Sequence, residues 1–362
     1  MSDPTIMILA GGTGGHVYPA LAVATALRQQ SCDIVWLGTH RGLEARVVPA
    51  AGIAMEWISV SGLRGKGLPT KLLAPFKLIY ALSQSIYAMW KHRPAAVLGM
   101  GGFVSGPGGL AAWLTRRPLI IHEQNAVSGF TNRLLARFAR VVLQAFPGSF
   151  NSRFNAETVG NPVRADIAAI DVPQIRFANR KGPIRLLVLG GSQGALALNQ
   201  VVPAAIALLP AEICPVVRHQ TGPRTLDDAR AAYETHGIAA ELSAYIEDMA
   251  EAYAWADMVV CRSGALTVAE VSAVGLAAIF VPFPAAVDDH QTANAAPMVE
   301  AGAALVVQQD QLSEESLARL LERWLVSRDD LLERASKARS LAKPAALQRI
   351  TNLCLESAGV LT

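Results

Sequence analysis

The chain has 362 residues, 52% hydrophobic and 17% charged, a balance that excludes a disordered protein. Lys and Arg number 32 against 29 Asp and Glu, a net charge of +3 that is too small to draw in nucleic acid by bulk attraction, so no nucleic-acid partner is expected. At about 150 residues per domain, the length predicts two domains.

Gly and Pro are close to average use, which removes collagen-like and low-complexity assignments. Cys32, Cys214, Cys261 and Cys354 form no CxxC pair, so reduced, buried thiols are expected rather than a zinc site or a redox dithiol. Met1-Ser-Asp-Pro4 has no basic n-region or long apolar stretch, so no signal peptide is expected. The longest apolar candidate for a span, 277–287, contains Pro282 and Pro284 and is too short. The expected location is the cytosol, and the mean hydropathy of +0.31 suits a large core, a membrane-touching surface, or both.

In chain order, the apolar run 5–10 leads into Gly11-Gly-Thr-Gly-Gly-His16 and a helical stretch expected over 19–30. Strands are expected at 33–38, 96–98, 119–122 and 141–144, alternating with helical patterns. The glycine-rich Gly99-Met-Gly-Gly-Phe-Val-Ser-Gly-Pro-Gly108 follows one of them, and the polar His122-Glu-Gln-Asn125 follows another. Gly and Pro in Val159-Gly-Asn-Pro-Val163 mark a boundary, and a polar stretch over 171–181 leads to a second opening unit. There Ile184-Arg-Leu-Leu-Val-Leu189 runs into Gly190-Gly-Ser-Gln-Gly-Ala195 and another apolar helix, repeating the first unit about 180 residues on. Further strands are expected at 215–220, 258–261 and 277–281, and helices over 313–361. The repeat predicts an α/β protein of two Rossmann-like, doubly wound domains, 1–162 and 163–340. A C-terminal helix in 341–362 either caps the second domain or packs back on the first.

Glycine loops between strand and helix let backbone N–H groups approach an anion. The dinucleotide fingerprint is broken, since the register from Gly12 and Gly14 puts Val17 where the third glycine belongs. No G-x-x-x-x-G-K-[ST] is present, which excludes a P-loop NTPase. Three such loops at strand ends imply a cleft where phosphates or sugar hydroxyls meet backbone. In the second half, Asp257-Met-Val-Val-Cys-Arg-Ser-Gly264 reads as a strand and turn, and Ala265-Leu-Thr-Val-Ala-Glu270 as a helix start. Its N–H groups suit a phosphate, and Glu270 either accepts from a ribose diol or is an ordinary surface carboxylate. Asp288-Asp-His-Gln291 again places polar groups at a strand end. Leu63-Arg-Gly-Lys66 and Lys71-Leu-Leu-Ala-Pro-Phe-Lys-Leu-Ile-Tyr80 mix cations with large apolar side chains, as an interfacial helix on anionic lipid would, or as a plain amphipathic core helix would. Trp113, Arg137 and Arg140 extend the candidate surface.

Six segments, in order, resemble the MurG family of N-acetylglucosaminyltransferases: Gly11-Gly-Thr-Gly-Gly-His-Val-Tyr-Pro-Ala20, 99–108, His122-Glu-Gln-Asn125, Gly190-Gly-Ser-Gln-Gly-Ala195, 263–270 and Asp289-His-Gln291. The resemblance covers nearly the whole chain. It implies the GT-B architecture, two Rossmann-like domains facing across a cleft, and inverting transfer of GlcNAc from UDP-GlcNAc to the C4 hydroxyl of MurNAc in lipid I, giving lipid II. It places the diphosphate on Ser192 and the helix start Ala265, Leu266, Thr267, Val268, Ala269, with Glu270 on the ribose. Uracil would meet the Ile246 backbone, with Arg164 and Tyr245 close by. Gln291, Asn125 and Thr13, Gly14 and Gly15 would surround the GlcNAc.

His16 is the first choice for the base, because neutral imidazole is available at pH 7 and a glycine loop leaves it room; Glu123 and His122 are the reserves. Metal-dependent transferases are expected to carry an Asp-x-Asp, and the pairs Asp227-Asp228, Asp288-Asp289 and Asp329-Asp330 have the wrong spacing, so no obligatory metal or other cofactor is expected. Lys71, Leu72, Phe76, Lys77, Tyr80 and Trp113 would dock the enzyme peripherally on the cytoplasmic side of the cell inner membrane, with cell-wall synthesis proteins as possible partners. The competing assignments are a UDP-GlcNAc 2-epimerase of the same architecture, a non-catalytic nucleotide-sugar sensor, and an NAD-dependent dehydrogenase, which the broken fingerprint nearly removes.

Overall fold

The computed structural model describes residues 3–60, 73–191, 194–286 and 289–361. The chain forms two units: one runs to Val163 and resumes at Pro344, and the other is Arg164–Lys343.

The first unit is built on a parallel sheet of β1 (Thr5–Leu9), β2 (Asp33–Gly38), β3 (Ala54–Trp57), β4 (Ala96–Gly99), β5 (Leu119–Glu123), β6 (Val141–Gln144) and β7 (Glu157–Thr158). Their spatial order is β3-β2-β1-β4-β5-β6-β7. The helices between them are α1 (Gly14–Gln29), α2 (Glu44–Ala50), α3 (Ala74–His92), α4 (Ser105–Leu114) and α5 (Phe130–Leu135). Ile6 and Ile8 join one buried cluster and Met7 and Leu9 another, so β1 is covered on both faces. That double burial is why the strand reads as a continuous apolar run rather than an alternating one.

The second unit repeats the pattern with β8 (Arg185–Leu189), β9 (Val216–Gln220), β10 (Ala240–Ser243), β11 (Met258–Cys261), β12 (Ala277–Phe280) and β13 (Ala304–Val306), in the order β10-β9-β8-β11-β12-β13. Its helices are α6 (Ala165–Ala168), α7 (Pro173–Phe177), α8 (Leu196–Ala207), α9 (Leu226–Thr235), α10 (Met249–Trp255), α11 (Ala265–Val274), α12 (His290–Glu300), α13 (Glu314–Leu325) and α14 (Arg328–Ser340). Fully buried Asp257, just before β11, anchors this unit. It pairs with Arg180 and, at 3.3 Å, with Arg328, and it accepts the Arg185 backbone N–H at 3.0 Å.

The last helix, α15 (Ala346–Ser357), belongs to the first unit. Ile350, Leu353, Cys354 and Leu355 share a core with Val17, Ala20, Ala24 and Leu27 of α1. Arg349 grips Glu157 of β7 through two hydrogen bonds, of 2.7 and 3.0 Å.

Two sequence expectations need correction. The first helix starts at Gly14 rather than at residue 19, because His16 and Val17 already donate to the Thr13 carbonyl, at 3.1 and 3.2 Å. Pro19 therefore sits inside the helix, where its missing N–H removes only one bond of the first turns. The strands β3, β7, β10 and β13 were not expected; they lie at or next to sheet edges, are short, and carry weak apolar patterns.

Candidate active site

In each unit the strand order reverses between the first strand and the fourth, the place where open α/β sheets bind ligands. In the first unit, β1 and β4 end side by side, with Leu9 paired to Gly99. The loops that follow are in backbone contact: a Cβ on Gly102 (φ +83) would lie 2.2 Å from the Gly11 carbonyl oxygen. On Gly101 (φ +94) it would lie 2.6 Å from His16 Nδ1, so the ring rests on bare backbone. Ser105 Oγ fixes this loop by accepting from Gly101 N at 3.1 Å.

Glu44, which the sequence reading missed, holds the first loop from below. Its fully buried carboxylate accepts from Gly12 N (2.9 Å), Thr39 N (3.1 Å) and Thr39 Oγ1 (2.8 Å). The only sequence signal was a lone acid among Leu43, Ala45, Val47 and Val48. Above it, Thr13, Gly14 and Gly15 form the exposed to half-exposed start of α1. His16 is therefore not in a roomy loop but in the first helical turn, half-buried, with Nδ1 3.0 Å from Gln124 Oε1. Among the described residues its Nε2 has no hydrogen-bond partner.

The reserve bases are placed otherwise than expected. His122 is fully buried in β5, its Nε2 2.9 Å from the Gly160 carbonyl, and burial pushes its pKa down to about 4. Glu123 is also buried, and all its lone pairs are engaged. Oε1 accepts from Asn125 N (3.0 Å) and Nδ2 (3.1 Å), and Oε2 from Gly129 N (3.1 Å) and Asn132 Nδ2 (2.9 Å). Neither group presents an acceptor to a substrate hydroxyl, which corrects their assignment as alternative bases. Glu123 instead orders the loop that carries half-buried Asn125.

In the second unit, Leu189 of β8 pairs with Cys261 of β11, and a glycine turn follows each strand. Ser192 lies outside the described residues. After β11, Gly264 caps α11, whose first-turn residues Ala265, Leu266 and Thr267 present N–H groups that no intrahelical carbonyl can reach. Val268, one position on, closes the turn by donating to the Gly264 carbonyl (2.9 Å), and Ala269 follows on the helix. Directly before this helix, Ser263 Oγ is buried and has no hydrogen-bond partner among the described residues, a polar atom beside an anion-attracting helix end.

Glu270 lies buried on α11, not on the surface. Tyr253 donates to its Oε2 at 3.0 Å, and burial raises its pKa to about 7 against the opposing pull of that bond and of Arg164. Ile246 donates its backbone N–H to Gln220 Oε1 at 3.3 Å, and Tyr245 beside it is exposed. Gln291, in the first turn of α12, accepts from Phe283 N at 2.9 Å.

Of the expected membrane residues, Lys71 and Leu72, with the segment 63–66, lie outside the described residues. Phe76, Lys77 and Tyr80 are exposed on α3, which continues past Tyr80 to His92 and adds Tyr87 and Trp90 to the surface. Phe76 is 71% and Trp90 68% exposed. Trp113 on α4 is exposed as well and packs its ring on Phe138 at 4.8 Å. Arg137 and Arg140 line, with Arg153, a cavity of about 560 Å³ near β6. Among the described residues no helix is long and apolar enough to cross a membrane.

Two Rossmann-like α/β units, each with glycine turns at its switch point, define the GT-B class of sugar-nucleotide proteins. Two family models match: the glycosyltransferase family 28 N-terminal domain over residues 6–144, and the glycosyltransferase family 28 C-terminal domain over 185–350. A relative from Alkalilimnicola ehrlichii, named UDP-N-acetylglucosamine--N-acetylmuramyl-(pentapeptide) pyrophosphoryl-undecaprenol N-acetylglucosamine transferase, is 58% identical over 98% of this chain and 99% of its own. The crystal structure of Acinetobacter baumannii MurG superposes with a TM-score of 0.85 at 41% identity, over 98% of this chain and 99% of that one. A UDP-GlcNAc 2-epimerase from Neisseria meningitidis shares the fold alone, with a TM-score of 0.66 at 11% identity over 98% and 100% of the two chains. The chain belongs to glycosyltransferase family 28, among its MurG N-acetylglucosaminyltransferases.

If Glu44 sets the position of the first loop, Glu44→Ala should lower turnover by about 10- to 100-fold through misplacement of the reacting groups. UDP binding, which the sequence assigns to the second unit, should stay unchanged. Steady-state kinetics beside calorimetric titration with UDP check this, and unchanged turnover would remove Glu44 from the site.

Proposed function

We propose that this enzyme transfers N-acetylglucosamine from UDP-GlcNAc to the C4 hydroxyl of lipid-linked MurNAc-pentapeptide by a single inverting displacement, with His16 as the base. The observation that carries this assignment is the half-buried His16 ring, seated on the bare backbone of Gly101 with Nε2 unengaged among the described residues. The acceptor hydroxyl gives its proton to Nε2 as its oxygen bonds to the anomeric carbon. The bond from that carbon to the diphosphate oxygen breaks, and UDP leaves with the electron pair. The N–H groups of the first turn of α11 and the Ser263 hydroxyl stabilise the charge that develops on the diphosphate. Backbone groups and the helix end then do what a divalent cation does in metal-dependent transferases, so no metal is required. Glu270 receives the ribose hydroxyls, and Ile246 the uracil through its carbonyl, with Tyr245 and Arg164 nearby. Gln291, Asn125 and Thr13 to Gly15 contact the transferred sugar.

The acceptor's lipid anchor calls for a membrane surface. The outward face of α3, with Trp113 and the arginines near β6, supplies apolar side chains ringed by cations, the composition of a peripheral site on anionic lipid. A 2-epimerase needs no such face. The enzyme accordingly works on the cytoplasmic side of the inner membrane.

His16→Ala should lower kcat by about 10²- to 10⁴-fold, measured as UDP release with a short-chain acceptor in EDTA-treated, metal-free buffer. A loss under tenfold would remove His16 as the base, and dependence on added Mg²⁺ would overturn the metal-free mechanism.

Glu270 also gives the donor site a pH response. An ionised carboxylate accepts from both ribose hydroxyls, whereas a protonated one has lost an acceptor position. Because its pKa is raised to about 7, the ionised fraction grows with pH, and UDP-GlcNAc affinity should strengthen as pH rises through that value. Glu270→Gln should bind more weakly and with a flat profile; a variant that kept the slope would place the titrating group elsewhere.

Replacing Phe76 and Trp90 by Ser should reduce co-sedimentation with anionic vesicles while leaving UDP affinity intact. Unchanged sedimentation would dismiss this face as the docking surface.

A further inference from the structure

The end of β5 holds a chain of hydrogen bonds whose direction is fixed at its buried end. The Gly160 carbonyl can only accept, so His122 Nε2, 2.9 Å away, carries the hydrogen. His122 is fully buried and its pKa is pushed down to about 4, so the ring is neutral and its Nδ1 is a bare acceptor. Gln124 Nε2 lies 3.2 Å from that Nδ1 and 2.9 Å from the Met100 carbonyl, two acceptors that use both amide hydrogens. Flipping the amide would set its oxygen against both acceptors at once, so this orientation is the one the surroundings permit. Gln124 Oε1 therefore faces His16 Nδ1 at 3.0 Å, and the hydrogen of that bond must come from the imidazole.

We propose that Gln124, itself oriented by His122, the Met100 carbonyl and the Gly160 carbonyl, locks His16 in the tautomer with Nδ1 protonated and Nε2 bare. Gln124 and His122 are positioning residues: they touch neither substrate nor reacting atom, but decide which ring nitrogen can take the acceptor's proton. The Asn161 side chain holds the Gln124 backbone carbonyl at 3.0 Å, and Gly101 walls the ring, so the amide and the imidazole meet at fixed positions. The consequence for catalysis rests on His16 being the base; the tautomer itself does not.

The test is the long-range 1H–15N spectrum of the wild-type enzyme labelled at histidine nitrogens, at a pH where the imidazole is neutral, with His16 assigned from the His16→Gln spectrum. A protonated Nδ1 and bare Nε2 are expected; a protonated Nε2 would overturn the proposal. Gln124→Met, of similar length and without the amide, should then give a mixed tautomer at His16. Its kcat should fall by about 10- to 100-fold, less than removal of the base, at unchanged KM for UDP-GlcNAc. A Gln124→Met enzyme that kept the wild-type His16 signals would also refute the lock. If His16→Ala retains most turnover while wild-type Nδ1 is still protonated, the base assignment fails and the lock stands.

Discussion

Where β1 and β4 end side by side, the backbone of Gly102 lies against the Gly11 carbonyl and that of Gly101 against the His16 ring, at distances that admit no Cβ. The setting of the His16 ring depends on this approach. It brings the loop after β4 under the first turn of α1, and it puts the Met100 carbonyl within reach of Gln124 from β5. Three consecutive central strands thereby contribute to one ring. A side chain at either glycine would part the loops, and neither position could adopt its positive φ without strain. The helix start at Gly14 follows from the same contact, since the imidazole reaches Gln124 from a helical turn.

Buried acids do two different jobs here, and the number of donors around each tells them apart. Glu44 receives three hydrogen bonds and Glu123 four, which satisfies their oxygens with protein groups and makes them anchors of loops. Asp257 is saturated in the same way by Arg180, Arg328 and the Arg185 backbone. Glu270 is buried too but has one donor among the described residues, Tyr253, and its pKa rises to about 7 where a saturated carboxylate would resist protonation. A buried acid that is short of donors has capacity for a ligand's hydroxyls. The unpartnered Ser263 hydroxyl at the head of the same helix shows the same shortage.

Part of the apolar composition lies not in a core but on the outward face of α3. On α3, Ala81, Ser85, Ala88 and Met89 turn inward, with Leu82 and Ile86 partly buried beside them, and pack on α4, where Gly108, Gly109, Ala111 and Ala112 face the core. The large side chains, Phe76, Ile79, Tyr80, Tyr87 and Trp90, point out. The helix is therefore apolar on both faces, and an outward apolar patch of this kind signals a partner surface.

The two sheets were legible because strands buried on both faces must be apolar throughout, so 5–10, 33–38, 119–122 and 184–189 announce themselves without knowledge of their neighbours. The glycine turns were legible too, since close backbone approach leaves few other residues possible. The edge strands were not: β3, β7, β10 and β13 are defined by pairing to a neighbour, and their own sequences carry little pattern. Sequence could also name polar residues at strand ends without ranking them. His122, Glu123, Gln124 and Asn125 are adjacent in the chain, yet the fold buries the first three with their polar atoms engaged by the protein and leaves Asn125 half-buried. Which of them is engaged by the protein is set by the carbonyl acceptors of Gly160 and Met100 and by donors from Asn132 and Gly129, residues outside the strand's own pattern. Glu44 was invisible for the same reason, because its role exists only once Gly12 and Thr39 are folded around it. Composition and periodicity thus determined the elements and their class, whereas the role of each polar side chain was decided by long-range hydrogen bonds that only tertiary structure creates.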